Sequence, residues 1–382
     1  MARRRANNEG TLYRRKDGLW CAQVSLDGHR LTKYGKTQRE CHDWIKEMLG
    51  KIDTGLTYEG IHITMESFIS IWLNGKSLSR RERTVFQYRK IAENYILPHL
   101  GKMRIQDIRP VHIQRMYSTF KERGTGARTL QLVHAVLHNV LDQAVREGAL
   151  SHNPADSVER PRWEHKEFKT FTEDEVRQFL LAAAGHRHEV LFYLALTTGM
   201  REGELLGLKW SDLDWGKGVL NIQRQLQRIE RKGLFFVPPK TRAGRRQIKL
   251  GQGMLDRLAE HRQRQDQERE DAGSHWQEND LIFPSSIGTP FEGHRIWDEF
   301  KELLAKAELP DMRFHDLRHT ALSLLMDMGI AVTTVQQRAG HSKASVTTDI
   351  YGHSMSRSQE KAAEQIEELI TPVAVRLQYK KP

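Results

Sequence analysis

The stretch from Arg313 to Tyr351 reads RFHDLRHTALSLLMDMGIAVTTVQQRAGHSKASVTTDIY and brings histidines, arginines and one isolated tyrosine together. Its apolar residues recur with helical spacing, which predicts a helix that starts near His315. The buried face of that helix is expected to hold Leu317, Ala321, Leu324, Leu325 and Met328. His315 and Arg318 project from one side of its first turn, where the helix dipole attracts anions. We therefore expect this site to face a phosphate group.

Two upstream motifs accompany this stretch: TTGMREGELLGL at residues 197–208 and PPKT at residues 238–241. Taken with HDLRH, AGHS and a tyrosine ten residues after His341, they resemble the signature of the tyrosine recombinase (phage integrase) family in the family's own order. The joint match is far more specific than any one motif. Ala339 departs from the family pattern, which more often has Leu before Gly-His, and we expect this change to affect packing rather than chemistry.

Cleavage of a phosphodiester builds negative charge on the non-bridging oxygens, so it requires fixed cations, a nucleophile and a proton donor. The rigid guanidinium groups of Arg201 and Arg318 suit two phosphate oxygens better than lysine would. The resemblance assigns them that role, and it assigns His341 a third hydrogen bond to the phosphate. It also implies that Tyr351 is the nucleophile, which forms a covalent 3′-phosphotyrosyl link.

The remaining roles come from the same resemblance. Lys240, expected on a mobile β-hairpin, acts as the general acid for the departing 5′ oxygen. His315 accepts or relays the proton of the attacking phenol. Spacing alone suggests a role for Glu204, which lies three residues after Arg201 on the same helical face and is expected to orient the site.

A metal site formed by three histidines is the competing interpretation of the same stretch. His315, His319 and His341 could supply imidazole ligands. No HExxH motif or carboxylate cluster accompanies them, and two arginines beside a cation would repel it. We therefore predict no metal and no other cofactor.

Bulk composition sets the class of partner. The chain has 382 residues, enough for two or three domains, and 60 Lys and Arg against 49 Asp and Glu give a net charge of +11. This balance favours a polyanion such as nucleic acid. Cys21 and Cys41 form no C-x-x-C pair, so we expect reduced, partly buried thiols. With no long apolar run and no signal peptide, the sequence predicts a cytoplasmic or nucleoid-associated protein without a membrane partner.

Residues 1–58 are predicted to form a three-stranded sheet covered by a helix. Apolar and polar residues alternate through 20–26, Asp27-Gly28 is a hairpin signal, and Thr37 with Glu40 forms a capping box. This segment resembles the arm-type DNA-binding domain of some integrases, and we expect its exposed sheet face to be strongly cationic. The candidate DNA contacts are Arg3, Arg4, Arg5, Arg14, Arg15, Lys16, Arg30 and Lys33.

Residues 64–150 are predicted to form four helices, the last of which carries a single apolar stripe. The unit resembles the helical core-binding (SAM-like) domain of tyrosine recombinases. Its candidate phosphate contacts are Arg80, Arg81 and Arg83. A charged, proline-containing stretch at 151–170 is typical of an inter-domain linker.

Residues 170–382 are predicted to form an α+β tyrosine recombinase catalytic domain whose β portion spans 219–250. The fold class is therefore multidomain and mainly α, with small β-sheets. Further DNA contacts are expected from Arg242, Arg245 and Arg246 in a segment dense in cations. Residues 371–377 alternate like a strand, and this C-terminal tail is expected to dock on a sheet edge of a neighbouring protomer.

Three functions are compatible with these residues. The first is a site-specific integrase that cuts and rejoins strands at core and arm attachment sites in double-stranded DNA, as a homotetramer aided by DNA-bending accessory or directionality proteins. The second is a type IB topoisomerase-like enzyme, and the third is a catalytically idle DNA-binding regulator. An arm-type DNA-binding domain ahead of a core-binding domain favours recombination. The complete set of candidate catalytic residues argues against the regulator.

Overall fold

The computed structural model describes residues 10–53, 62–162, 168–230, 232–342 and 366. The chain divides into two compact units, Met1–His165 and Lys166–Pro382. Their boundary falls within the predicted linker at 151–170. The first unit contains both the predicted sheet segment and the predicted helical segment, each with its own hydrophobic core. The further division at residues 58–64 stays a prediction.

The N-terminal sheet is antiparallel with strand order β1-β2-β3. Its strands are β1 (Thr11–Arg14), β2 (Trp20–Leu26) and β3 (His29–Gly35), and the helix α1 (Gln38–Asp53) packs against it. Asp27 and Gly28 both have positive φ, 50° and 79°, which is the backbone of a tight hairpin turn whose twist matches that of the strands. The predicted three-stranded sheet, its hairpin and its covering helix are therefore confirmed.

The register of this sheet corrects the expected charge distribution. Ala22 and Val24 face α1, and Lys33 pairs with Ala22, so Lys33 belongs to the same face. Its ammonium lies 3.9 Å from Glu40 of α1. The opposite face carries paired side chains that are mainly polar or aromatic: Thr11, Tyr13, Cys21, Gln23, Ser25, Arg30, Thr32 and Tyr34. Strand alternation separates Lys33 from Arg30, and the guanidinium of Arg15 lies 4.7 Å from the ring centre of Tyr34 on the face of Arg30. The expectation of a strongly cationic exposed face stays a prediction, since part of its basic set lies outside the described residues.

The second part of the first unit is helical. Its helices are α2 (Met65–Ser79), α3 (Glu82–Ile91), α4 (Leu97–Leu100), α5 (Pro110–Glu122) and α6 (Ala127–Arg146). A π-helical stretch, Ala92–Ile96, joins α3 to α4 just before Pro98, which has no amide hydrogen to continue the ladder. The apolar stripe of α6 is buried as predicted, from Leu130 to Ala144.

The second unit begins with α7 (Glu173–Ala182), α8 (Glu189–Thr198) and the short α9 (Glu202–Leu205). Strands β4 (Leu213–Asp214), β5 (Val219–Ile222) and β8 (Arg246–Lys249) form one sheet, and β6 (Gln225–Ile229) pairs with β7 (Gly233–Val237) in a separate hairpin. The helices α10 (Gln252–Ala272), α11 (Gly293–Lys306), α12 (Asp316–Asp327) and α13 (Val332–Ala339) follow. The predicted β portion is thus confirmed, and the described residues are mainly helical with small antiparallel sheets.

The helix α12 is buried around most of its circumference, which differs from the predicted single stripe. Leu317 and Ala321 are buried as expected, but Met328 is 67% exposed. The helix ends at Asp327, so Met328 lies beyond its last turn. Leu322 and Met326 instead pack with Val335 and Ala339 of α13 in a small core of their own: Leu322, Met326, Val335 and Ala339. This packing holds α13 against the helix that carries Arg318.

Two smaller findings complete the fold. Cys21 and Cys41 are free cysteines that are fully buried rather than partly buried as expected. In the segments that the structure describes, no helix combines the length and the apolar character that crossing a membrane requires.

Candidate active site

The first element of the site is the break between α8 and α9. Gly199 caps α8 with left-handed backbone angles, φ 64° and ψ 25°. A Cβ added there would lie 3.0 Å from a methyl carbon of Leu322, so glycine lets this turn approach α12 closely. Arg201 follows as the N-cap residue of α9. The Thr-Thr-Gly sequence thus places the arginine beside α12.

Arg318 is the buried centre of the site, only 3% exposed. Its Nη1 donates to the carbonyl oxygen of Gly199 at 2.5 Å, and its Nη2 donates to the carbonyl oxygen of Ala339 at 2.7 Å. Nη2 also lies 2.9 Å from Nε2 of His341. The guanidinium of Arg318 therefore joins the break after α8 to the turn after α13, two segments that are far apart in sequence.

Arg201 lies beside this centre with its side chain 36% exposed. Nη1 donates to Oε1 of Glu204 at 2.9 Å, and the main-chain amide of Arg201 donates to Oε2 of the same carboxylate at 3.0 Å. Nη2 donates to the carbonyl oxygen of Gly340 at 3.3 Å. The carboxylate of Glu204 thus holds both the backbone and the side chain of Arg201, the geometry of an orienting residue.

Arg246 differs from the exposed DNA contact that the sequence suggested. Its side chain is 6% exposed and its guanidinium donates to both carboxylate oxygens of Glu204, at 3.1 and 2.9 Å. Strand alternation is the cause, since Arg246 lies two residues before Ile248 on the inward face of β8. Its exposed neighbours Arg242 and Arg245 keep the expected placement.

The histidines of the site are held in the neutral form. Burial, followed by the charges of Arg318 and Arg201, lowers the pKa of His341 to about 4. Desolvation by surrounding protein atoms, followed by the charge of Arg318, lowers the pKa of His315 to about 4, although the residue as a whole is exposed. Burial, followed by the nearby His315, lowers the pKa of His319 to about 4. Because an arginine can only donate, neutral His341 accepts at Nε2 and carries its proton on Nδ1.

Lys240 is exposed and lies in the loop that joins β7 to β8, three residues beyond the end of β7. The turn of the β6–β7 hairpin does not carry it, which corrects the expected position. Arg80, Arg81 and Arg83 are exposed around the junction of α2 and α3. Four further predicted residues lie outside the described part of the chain: Arg3, Arg4, Arg5 and Tyr351.

Arg338 was not predicted from the sequence. Its Nη2 donates to the carbonyl oxygen of Thr197 at 2.9 Å and its Nη1 to that of Lys249 at 3.4 Å. It therefore ties the end of α8 and the end of β8 to α13. The sequence could have indicated this residue, because Arg338 lies only three residues before His341.

One cluster in the described residues has the composition of a metal site: His186, His188 and Glu299. The hydrogen bonds decide against that use. Arg187 Nη1 lies 3.0 Å from Nε2 of His188, so this nitrogen accepts and the ring proton lies on Nδ1, which is 2.5 Å from Glu299. The amide of His188 donates to Nδ1 of His186, which puts that ring's proton on Nε2. Protons therefore occupy the nitrogen atoms that would bind a cation, and the cluster is a hydrogen-bonded clamp.

Comparison with known proteins gives concordant results along the chain. Residues 169–357 match the model described as "Phage integrase family", and residues 64–120 match "Phage integrase, N-terminal SAM-like domain". A "Tyrosine recombinase XerC-like" protein of Caldanaerobacter subterraneus is 32% identical, over 88% of this chain and 91% of that protein. The "ICEBs1 integrase" of Bacillus subtilis is 25% identical, over 81% of this chain and 84% of that protein.

Solved structures support the same fold. The Tn1549 transposon integrase in complex with a circular intermediate DNA superposes with a TM-score of 0.67 at 20% identity, covering 80% of this chain and 99% of that one. A lambda integrase dimer bound to a core site superposes with a TM-score of 0.57 at 19% identity, covering 91% of this chain and 96% of that one. The segments TTGMREGELLGL, HDLRH and AGHS meet at Arg318. Together with the match to the phage integrase model, the 32% identity to the XerC-like recombinase shows that the chain belongs to the phage integrase family of tyrosine recombinases, enzymes that break and rejoin DNA.

Proposed function

We propose that this tyrosine recombinase integrates or excises a mobile element or phage genome by cutting and rejoining DNA at specific sites through a 3′-phosphotyrosyl intermediate. The observation that carries the proposal is the buried guanidinium of Arg318, bonded to Gly199, Ala339 and His341. A cation fixed in this way, with Arg201 beside it, is preorganised to stabilise charge that develops on a phosphate.

In the proposed cleavage step, the phenol oxygen of Tyr351 attacks phosphorus and the bond from phosphorus to the 5′ oxygen breaks. The phenol proton passes to His315, and the departing 5′ oxygen receives a proton from Lys240. Arg201, Arg318 and His341 hold the non-bridging oxygens. Rejoining is the reverse, since a 5′ hydroxyl displaces the tyrosine from the covalent link.

Proton transfer to His315 depends on the charge of the bound phosphate. A pKa of about 4 makes this imidazole a weak base near neutral pH. An anionic phosphate between the arginines opposes the positive charge that contributes to this low value. The charge of a bound phosphate therefore acts to raise the pKa of His315, against the burial that lowers it.

Specific binding is proposed to be divided among several basic surfaces. Arg80, Arg81 and Arg83 contact phosphates of the core site, and Arg242 and Arg245 add contacts from the loop after Lys240. The outward face of the N-terminal sheet reads an arm site in the major groove. One solved neighbour is a lambda integrase tetramer bound to a Holliday junction, and we extend a tetramer on DNA to this chain. DNA-bending or directionality proteins would act on that assembly.

The decisive test uses a nicked duplex that traps the covalent product. Wild-type protein in excess EDTA is expected to form a protein-DNA adduct that survives a denaturing gel, because Arg201 and Arg318 supply the charge that a divalent cation would otherwise provide. Tyr351→Phe is expected to form no adduct. Its affinity for the duplex should match the wild type, since most affinity comes from contacts to many phosphates.

Two results would contradict the proposal. The first is a Tyr351→Phe protein that still forms the adduct, which would move the nucleophile elsewhere. The second is a wild-type protein that binds the duplex but never becomes linked to it, which would favour an idle DNA-binding regulator. Sequencing the joined strands between candidate attachment sites would then separate recombination from simple relaxation of supercoils.

A further inference from the structure

Arg246 begins β8 and pairs with Ile222 of β5. It stands in a basic segment, yet its side chain is almost completely buried, at 6% exposed. A buried guanidinium is stable only if its donors are paired, and those of Arg246 are directed to protein acceptors. A role other than contact with DNA must therefore explain this residue.

The first partner of Arg246 is Glu204, which accepts two hydrogen bonds from it in a bidentate arrangement, at 3.1 and 2.9 Å. Burial alone would raise the pKa of the Glu204 carboxyl, but the hydrogen bonds and charge of Arg246, with the charge of Arg201, lower it to about 2. One negative charge is thus shared between two arginines. Because Arg246 engages both carboxylate oxygens, Arg201 holds only part of the charge of Glu204.

The second and third partners are main-chain carbonyl groups. Nε of Arg246 donates to the carbonyl oxygen of Arg338 at 2.7 Å, and Nη1 donates to that of Gly244 at 3.3 Å. Arg338 precedes the turn that carries His341, and Gly244 follows the loop that carries Lys240. The same guanidinium therefore contacts the three segments that hold Arg201, Lys240 and His341.

Gly340 leaves room for the guanidinium of Arg246. Its φ is +67°, and an added Cβ would lie 2.9 Å from Nη1 of Arg246 and 3.1 Å from the carbonyl oxygen of Ala243. A side chain at this position would push against the guanidinium. The glycine that precedes His341 thus leaves the space that Arg246 occupies.

We propose that Arg246 is a positioning residue for strand cleavage, which fixes Arg201 through Glu204 and fixes the His341 turn through the carbonyl of Arg338. This role rests on the proposed function. Without Arg246, neither oxygen of Glu204 would be shared with a second guanidinium. The carboxylate would then draw the Arg201 guanidinium toward α9 and neutralise it, so the phosphate would lose a fixed cation in the transition state while DNA binding elsewhere continues.

The experiment compares single-turnover adduct formation on the nicked duplex at saturating protein with the Kd for the same duplex. Arg246→Met is expected to lower the saturating rate about 100-fold, the effect of a catalytic group displaced by about 1 Å. Its Kd should stay within about twofold of wild type, because the buried side chain contributes no phosphate contact. Arg246→Lys keeps the charge but not the bidentate geometry, and it should recover about tenfold of the lost rate.

A double-mutant cycle tests whether Arg246 acts through Glu204. In a Glu204→Gln background no carboxylate remains to draw on Arg201, so Arg246→Met should lower the rate only about threefold further. Arg177→Met, at an exposed arginine of α7, is the control for a general effect of removing a cation. Thermal unfolding of each variant shows whether it is folded. If Arg246→Met fails to fold, the same comparison is made with Arg246→Lys, alone and in the Glu204→Gln background.

The outcomes distinguish failure of the positioning role from failure of the proposed function. A weakened Kd with a normal saturating rate would make Arg246 a phosphate contact and overturn the inference, as would equal losses in both backgrounds of the cycle. A wild-type protein that forms no adduct would overturn the proposed function, and the positioning role with it. A slow Arg246→Met protein beside an active wild type would support both.

Discussion

Arg318 in the second unit and Arg30 in the N-terminal sheet are both cations that the sequence assigns to DNA, yet the protein surrounds them differently. Arg318 is 3% exposed and bonds two carbonyl oxygens and an imidazole. Arg30 is exposed and pairs with Ser25 across the sheet. A buried cation is fixed in place before any phosphate arrives, whereas an exposed one must be ordered by the phosphate itself.

This difference in burial predicts that the two kinds of cation contribute free energy in different ways. A fixed cation in a partly dehydrated site acts strongly and directionally on one reacting group, because little reorganisation accompanies the reaction. Exposed cations contribute modestly and additively, mainly through release of counterions, and their effect falls with salt. Loss of a residue in the first region should therefore abolish chemistry, and loss of a residue in the second should only shift affinity.

The largest expected effect is on Arg318. Arg318→Ala removes a phosphate donor and leaves two carbonyl oxygens without their donor, so we expect cleavage at saturating DNA to fall about a thousandfold. The free energy of unfolding should also fall, by about 1 to 3 kcal/mol for each carbonyl left unpaired. Rapid-quench adduct formation measures the first effect, and urea unfolding measures the second. Arg177→Ala is the exposed control in the same unit.

If Arg318→Ala kept cleavage within tenfold of wild type, the contrast between buried and exposed cations would be wrong. A buried arginine with three hydrogen-bond partners would then be dispensable. Arg318→Lys sharpens the same test. It keeps the charge but cannot bond Gly199, Ala339 and His341 together from one rigid plane, so most of the loss should persist.

The next effect concerns acid sensitivity around α12. His319 is 5% exposed, lies stacked on Phe168, and has a pKa lowered from 6.5 to about 4. Because the unfolded chain binds the proton first, stability is full above pH 6.5 and is lost as the pH falls from 6.5 toward 4. The loss should be about 3 kcal/mol for such a buried group. Hydrogen exchange of α12 peptides across this range measures it.

Removing the titrating ring should flatten that dependence. His319→Phe keeps an aromatic ring against Phe168, so the exchange of α12 should change less between pH 6.5 and 4 than in the wild type. His294→Phe, at an exposed histidine of α11, is the matched control. An unchanged slope in the His319 variant would show that other groups carry the acid sensitivity.

The sequence predicted which motif residues lie close together better than it predicted how the surrounding charges are used. Motif spacing located Arg201, Arg318 and His341, because short-range helix geometry and the order of the motifs are both local properties. Arg246 and Lys33 were misplaced for one shared reason. Both stand in strands, two residues from an aliphatic residue that packs into a core, Ile248 for Arg246 and the partly buried Leu31 for Lys33. Counting cations along the chain ignored that alternation.

Other features could not be read from local patterns. The bond from Arg318 to the carbonyl of Gly199 joins positions 119 residues apart, and only the packing of α8 against α12 brings them together. The end of α12 at Asp327, which exposes Met328, depends on how α13 turns back to cover Leu322. Long-range packing of this kind leaves no periodic trace in a single sequence.

A third prediction separates the two regions physically. Deletion of residues 1–58 should leave adduct formation on a core-site duplex within about twofold of wild type, since phosphate contacts and chemistry are supplied from elsewhere. Affinity for a duplex that carries an arm site should fall at least tenfold, toward nonspecific binding. Loss of all adduct formation by a folded truncated protein would contradict this division.

The smallest expected effect is also the most specific, because it contrasts two cations of one strand. Arg30 lies on the outward face of β3 with Gln23, Thr32 and Tyr34, whereas Lys33 lies on the α1 face near Glu40. Arg30→Ala should weaken arm-site binding several-fold and reduce the slope of log Kd against log salt by about 1, as expected for one phosphate contact. Lys33→Ala should change the slope by much less. Fluorescence anisotropy at a series of salt concentrations measures both slopes, and equal changes would mean that the sheet presents its α1 face, or its edge, to DNA.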